Sequence, residues 1–460
     1  MVKRFLFVGL CLLLGCNTSV DAPTSAFFGG QIINPSSDYI SLYKYDQRID
    51  SIGLNERNRF FRQYDSLDFG LFKMEHLPEN QMLLIEAGDS IWSYANMADF
   101  NASLVFSGKG SAKNNFLMDI YLDLEDEISF LSSKYASDSE AFGNIIDSLL
   151  QEKRDKWNAF KTQNPLSPFA QKVTQAAYVY PYANRLERYA LIRGKSTVKN
   201  DSTYFAFRQF LEYGEKDLIF FEPYITYLMS YLSQEALEDG KNFLQEKGNT
   251  AFNIKRLQLI DQRINHITLR NILARTVAYE ELLNFRNHDY HEDFLKYFMA
   301  LNTSPLYLSE ILGLHQALIQ MEPGRKLPVV QLENHKGEIT ASDTLLDGQA
   351  TVLYFWSQTQ MNHFKRTHER VMRYRKQFPS YRFVGICIQP YNDLVRNYQE
   401  IMQIDPQDQL ALVNFEQVSN EWVITLLNKG IILDQKGNIL DGFANFSARD
   451  FPDLLEKHQP

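Results

Sequence analysis

Apolar residues in this chain keep three different spacings in turn, and no single core can satisfy all three. Between residues 25 and about 110 they fall in short runs separated by turn residues. Segments 27–33, 39–43, 49–52, 59–62, 82–85, 90–94 and 104–108 read as strands, with Asn34-Pro-Ser-Ser-Asp38 and Glu86-Ala-Gly-Asp89 as turns. From 138 to 163 the spacing changes to three and four, with Phe142, Ile145, Ile146, Leu149, Leu150, Trp157 and Phe160 on one helical stripe. Segments 167–193, 223–237, 267–285 and 305–321 continue that pattern without a fixed repeat length, so a solenoid is not supported. Beyond residue 324 strands and helices alternate: strand 329–332, strand 351–355, helix 360–377, strand 382–389, strands 430–434 and 438–441, helix 448–458. That order implies a mixed sheet with helices on both faces. The expected fold class is therefore multidomain α+β. It comprises an N-terminal antiparallel β-sandwich (25–111), a central α-helical domain (112–323) and a C-terminal α/β domain (324–460). A chain of 460 residues is also too long for one ordinary core.

Composition narrows the function classes. The chain is 45% hydrophobic, too apolar for a disordered protein, and its net charge of −9 argues against a nucleic-acid partner. Three cysteines exclude a disulfide-stapled scaffold. Lys3-Arg4, the apolar run 5–14 and Leu13-Leu-Gly-Cys16 resemble a bacterial lipoprotein signal. The resemblance implies removal of 1–15, a diacylglycerol on Cys16 and a tether over 16–24. Asn17 in place of Asp points to the outer membrane. The membrane is then a partner through lipid, since the apolar run is too short to span. Cys11 is lost with the signal. Cys387 lies in the apolar run 383–389 and is expected to be a core thiol, so no internal disulfide forms.

Three segments carry a family resemblance. Arg325-Lys-Leu-Pro328, Leu353-Tyr-Phe-Trp356-Ser357 and Ile431-Ile-Leu-Asp434-Gln-Lys-Gly437-Asn438 are similar to the entry, pre-helix strand and late hairpin of TlpA-like thioredoxin domains. These are envelope thiol-disulfide oxidoreductases. The first region, with Glu86-Ala-Gly-Asp89 and Leu104-Val-Phe-Ser-Gly108, is similar to the β-domain that often precedes them. The resemblance implies a Cys-x-x-Cys pair at the start of the long helix, where one thiolate attacks and the other resolves. Those positions hold Gln360 and His363, with Met361 and Asn362 between, and the family's cis-proline falls at Asn428. The expectation is a thioredoxin-like domain without redox chemistry, with no catalytic residue, cofactor or metal, that binds a protein or peptide partner in the envelope. The alternative is a thiol-disulfide oxidoreductase, or an enzyme with new chemistry at His363.

Four further patterns lie outside the three segments that carry this resemblance. His288-Asp-Tyr-His291-Glu-Asp293 has the i, i+3 spacing of two metal ligands, but reads as an exposed polar helix start. The basic stretch 365–376 reads as a solvated helix face, with Phe364, His368, Val371 and Met372 turned inward. Tyr178, Tyr180, Tyr182, Tyr189, Phe220, Phe221, Tyr224, Tyr227 and Tyr231 read as helix packing with hydroxyls at the rim. Asp-Ser/Thr steps at Asp50, Asp65, Asp89, Asp147, Asp201 and Asp343 resemble an O-glycosylation sequon.

Overall fold

The computed structural model describes residues 25–458, apart from 195–197, 199–203, 285–290, 346–347, 359, 392–395, 397–398 and 401–403. The signal, Cys16, the tether, Asp201 and His288 lie outside the described residues. Eight strands come first: β1 (Ala26–Ile33), β2 (Tyr39–Lys44), β3 (Gln47–Gly53), β4 (Arg59–Tyr64), β5 (Gly70–His76), β6 (Glu79–Ile85), β7 (Ser90–Asn96) and β8 (Val105–Lys109). They form two four-stranded sheets ordered β4-β1-β7-β8 and β3-β2-β5-β6. Alternation of period two sends Phe28, Ile40, Leu42, Phe72, Leu83 and Ile91 into the space between them. The antiparallel expectation needs a correction. β1 pairs antiparallel with β4 but parallel with β7, because the chain between them crosses to the other sheet and returns. β5 escaped the sequence reading because it is buried on both faces, so its alternation is masked: Leu71 belongs to the helical core and Phe72 to the sandwich core.

A short α1 (Phe100–Ser103) precedes β8, and among the described residues nine α-helices follow it: α2 (Ser111–Lys134), α3 (Ser139–Gln163), α4 (Pro168–Arg193), α5 (Glu222–Ala236), α6 (Phe243–Glu246), α7 (Thr250–Arg263), α8 (Ile267–Leu282), α9 (His291–Leu301) and α10 (Pro305–Gln320). Their ends follow from local chemistry. Ser167 caps α4 by accepting from Ala170 N at 3.0 Å, Pro168 fills the first turn, and Gly194 leaves the helix at φ 89°. Asp138 caps α3 in the same way, from Ala141 N at 2.8 Å.

The start of α2 ties both sheets together. Asn114 Oδ1 accepts from Leu84 N at 2.7 Å, and its Nδ2 donates to Leu84 O at 3.0 Å. Asn115 does the same for Phe106 N and O, both at 2.8 Å. β6 and β8 are the edge strands of the two sheets, so two adjacent amides complete one edge each. Lys113 beside them is buried, with Nζ 2.6 Å from Asp89 Oδ2 and 2.7 Å from Glu86 Oε2. Asp89 is thereby enclosed, while Ser90, the hydroxyl of that Asp-Ser step, is half-buried.

The last part of the chain adds β9 (Gln331–Asn334), β10 (Ile339–Ala341), α11 (Ser342–Leu345), β11 (Thr351–Trp356), α12 (Met361–Gln377), β12 (Arg382–Cys387), β13 (Gln409–Leu412), α13 (Phe415–Glu421), β14 (Lys429–Leu433), β15 (Ile439–Asn445) and α14 (Phe451–Lys457). The seven strands form one sheet in the order β10-β9-β13-β12-β11-β14-β15, with β11, β12 and β13 parallel. Val352, Tyr354 and Trp356 face one side, against Phe364 and Val371 of α12 and Phe451 of α14. Leu353 and Phe355 face the other side and join a core continuous with Leu232, Leu273, Leu318 and the rest of the helices. The helices and one face of this sheet thus share a single apolar interior, and burial there favours folding by roughly 25 cal/mol per Å². On α12 the buried stripe is Phe364, Thr367, Val371 and Tyr374. Met372, expected inward, is one residue off that stripe and 45% exposed.

Candidate functional site

The parallel strands β11, β12 and β13 end together, and open α/β sheets meet ligands at that end. Here it is packed with buried amides. Gln389 Nε2 donates to Ser357 Oγ at 2.8 Å, and its Oε1 accepts from Gln358 N at 3.1 Å. Cys387 Sγ lies 3.6 Å from the same oxygen. One layer back, Gln409 Nε2 donates to the Tyr354 hydroxyl at 2.8 Å, and Trp356 Nε1 donates to Gln409 Oε1 at 3.1 Å. Gly385 makes the room, since a Cβ there would lie 2.5 Å from Gln409 Oε1 and 2.6 Å from the Tyr354 hydroxyl. Gln358, Gln389 and Gln409 were not singled out from sequence. Their only signal is an amide inside an apolar run, which marks a buried hydrogen bond.

Cys387 is fully buried, as expected of a core strand. Burial pushes its thiol up to about 12, against lowering hydrogen bonds from Gln389 and Gln358. A thiol in that state is almost all protonated at neutral pH, whereas the attacking species in thiol chemistry is the thiolate.

Helix α12 leaves from this end. Gln360 is its exposed N-cap and makes no side-chain capping bond. Met361 is half-buried and Asn362 exposed. His363 is half-buried, with Nε2 3.5 Å from Thr367 Oγ1, while its buried Nδ1 has no partner among the described residues. Burial, and then the charge of Arg370, hold its pKa below the ordinary 6.5, so the ring is neutral at pH 7. Asn428 precedes β14. That strand pairs antiparallel with β11, Tyr354 opposite Gly430. Continuing this register by two residues sets Asn428 level with Trp356. Gln360, His363 and Asn428 therefore share one end of the sheet, although no hydrogen bond joins them among the described residues.

Next to Asn428 stands a residue that the sequence reading passed over. Lys429 is buried, its Nζ donates to Val423 O at 3.0 Å and lies 4.4 Å from the centre of the Phe443 ring. Burial lowers its pKa to about 7, with Asp441 opposing the shift.

The remaining candidates are also placed. His291 is buried rather than exposed, with Nδ1 3.3 Å from Glu281 Oε1 and the His315 ring 6.4 Å away. The exposed helix start expected there is corrected: α9 packs its first residue onto α8. Among the described residues no three His, Cys, Asp or Glu side chains converge as a metal site. No described helix is long and apolar enough to cross a membrane. Tyr178, Tyr182, Tyr189, Tyr224 and Tyr227 are buried, and Phe142 stacks on Tyr189 at 4.4 Å. The hydroxyls go to partners such as Glu127 for Tyr182 and Ser137 O for Tyr189. A cavity of about 1520 Å³ opens among the helices, lined by Ile192, Met229, Phe243, Arg256, Glu280 and others.

No family model matches this chain, and no curated protein matches it. Solved structures match part of it. The thioredoxin domain of a thiol-disulfide oxidoreductase from Bacteroides vulgatus is 17% identical, with a TM-score of 0.26, over 30% of this chain and 99% of that one. A thiol-disulfide oxidoreductase from Bacteroides fragilis is 18% identical, with a TM-score of 0.25, over 30% of this chain and 100% of that one.

Proposed function

We propose that this is a lipid-anchored protein of the cell envelope whose C-terminal region is thioredoxin-like, has no dithiol chemistry and binds a protein or peptide partner. The observation that carries the reading is the state of sulfur at the end of β11–β13. Gln360 and His363 open α12, and Cys387 is buried with its thiol at about 12. Thiol-disulfide exchange runs through thiolate, and at pH 7 such a group is ionised in about one molecule in 10⁵. Anchoring rests on Leu13-Leu-Gly-Cys16. Partner binding rests on the exposed Gln360 and Asn362 and the half-buried Asn428 at one end of the sheet, where an extended chain can lie beside the helix start.

Two experiments test the reading. The chain from Asn17 onward should reduce insulin no faster than dithiothreitol alone; turnover abolished by Cys387→Ala contradicts it. A photo-crosslinking residue at Gln360 should capture a defined envelope protein, while one at the exposed Glu416 should not. Equal labelling from both sites defeats the peptide groove.

A second reading, an enzyme using His363 as a base, is favoured by its neutral ring and unpartnered Nδ1. Its test is hydrolysis of acyl, phosphoryl and glycosyl nitrophenyl substrates, with any turnover required to vanish in His363→Gln.

A further inference from the structure

The outward face of the β4-β1-β7-β8 sheet does the reverse of what a solvated sheet face ordinarily does. Register fixes its rows. Phe61, Gly29, Trp92 and Ser107 stand side by side across the four strands. The row on one side is Gln63, Phe27, Ser90 and Lys109; on the other it is Arg59, Gln31, Tyr94 and Val105. Large apolar groups on it are open to solvent: Phe61 is 51% exposed, Trp92 43% and Tyr94 46%. Phe27, Phe61 and Trp92 form a rank of near-parallel rings, with centroids 5.9 and 5.6 Å apart and planes within 17°. Gly29 allows this. A Cβ there would sit 2.8 Å from the Trp92 ring and 2.9 Å from Phe60 O, so the indole lies against bare backbone.

Beside the rank is a groove of about 560 Å³, lined by Gly30, Gln31, Gly53, Arg59, Phe61 and Trp92. That is the size of a small-ligand site. Its charge is opposite in sign to the net charge of the chain. None of the outward positions in the three rows is Asp or Glu, in a chain whose net charge is −9. Asp65 lies beyond β4, where Gln63 Nε2 holds it at 2.6 Å. The Arg59 guanidinium and the Lys109 ammonium make no ion pair or hydrogen bond among the described residues, and both side chains are exposed.

We propose that this face is a saccharide-binding site for an oligosaccharide bearing an acidic group. Sugar rings present C–H faces that pack on the Phe61–Trp92 rank, and hydroxyls that the Gln31 amide can reach. The Arg59 guanidinium fits a carboxylate, sulfate or phosphate substituent. A rank of rings interrupted by amides and serines suits a ligand that is apolar on one side and hydroxylated at its edge. A cationic partner is disfavoured by charge. This site is separate from the end of β11–β13 and does not rest on the thioredoxin-like reading.

The test uses residues 17–460, which retain every described element, on an array of neutral, uronic, sialylated, sulfated and phosphorylated oligosaccharides. Binding confined to acidic glycans is expected, at least tenfold weaker in Trp92→Ala and Phe61→Ala, and reduced in Arg59→Gln for acidic members only. Trp92 is the exposed tryptophan; Trp157, Trp356 and Trp422 are buried, so a bound glycan should also protect part of the native fluorescence from acrylamide. The proposal is overturned by an array without signal, or by binding that Trp92→Ala leaves intact. It is equally overturned if Trp92 instead responds to anionic phosphatidylglycerol vesicles, or if sedimentation shows a dimer that Trp92→Ala dissolves. Circular dichroism of each variant separates loss of binding from loss of fold.

Discussion

The outward face of the first sheet and the strand ends of β11–β13 are built with opposite chemistry. The first exposes phenylalanine, tryptophan and tyrosine where polar groups are usual. The second buries glutamine, serine and a thiol where apolar side chains are usual. Each inversion has a cost. Exposed aromatics forgo burial, and buried amides must find partners or lose about 1–3 kcal/mol each. Gln389 and Gln409 at the strand ends have those partners. On the first sheet nothing among the described residues covers the rings. The lesson is that the region with the familiar sequence signature is organised for rigidity, whereas the region without one carries the more open surface.

Glycines sharpen that contrast most. Gly385→Ala forces a methyl onto Gln409 and Tyr354, both buried, and should cost about 3 kcal/mol in denaturant unfolding. Gly29→Ala meets the Trp92 ring, which can swing outward, and Phe60 O, so a smaller loss of about 1–2 kcal/mol is expected. A larger loss at Gly29 would reverse the assignment of which region is rigid.

Asn114→Leu should cost about 2 kcal/mol, because both backbone groups of Leu84 lose their partner. Thermal unfolding reads it, and a neutral result would mean that α2 does not clamp the sheet edge.

The next test concerns charge beside the amide-filled end. The folded pKa of Lys429 is about 7, below its ordinary 10.5, so between these values the unfolded chain binds more protons. Its contribution to stability therefore rises with pH across that window. Lys429→Met should be more stable than the parent at pH 7, with the difference shrinking toward pH 10.

The smallest effect is on the sandwich. Ser36 N donates to His76 Nε2 at 3.0 Å, and Nδ1 lies 2.8 Å from Tyr39 O, an arrangement that fits one neutral tautomer. Burial, opposed by the Tyr39 bond, holds its pKa below 6.5. Its share of stability is full above pH 6.5 and is lost as pH falls below it. His76→Gln should flatten the acid side of the unfolding profile between pH 7 and 5.

Much of the architecture is legible in sequence where one physical pattern dominates. The 3.6-residue stripe of α3 and the Ser167-Pro168 start of α4 announce themselves, as does the fully apolar β11. Elements whose burial is two-sided or polar do not. β5 and β13 are buried on both faces, so neither alternates. α2 packs Lys113 and Asn114 inward, which hides its stripe. At the candidate site, Gln360, Met361, Asn362, His363 and Asn428 could be named only through a family resemblance. The Gln358–Gln389–Ser357 cluster is long-range, linking residues 31 and 32 positions apart, and no local pattern encodes it. The aromatic rank is likewise a product of register, since Phe61 and Trp92 meet only because Gly29 stands between them.

The most direct test of the central claim is the reactivity of Cys387 in residues 17–460, where it is the sole thiol. The folded protein should leave Ellman's reagent unreacted at pH 8 and yield one equivalent of thiolate product after unfolding in guanidinium. Fast, stoichiometric reaction of the folded protein, with a thiolate titrating below pH 8, would contradict the proposed absence of dithiol chemistry.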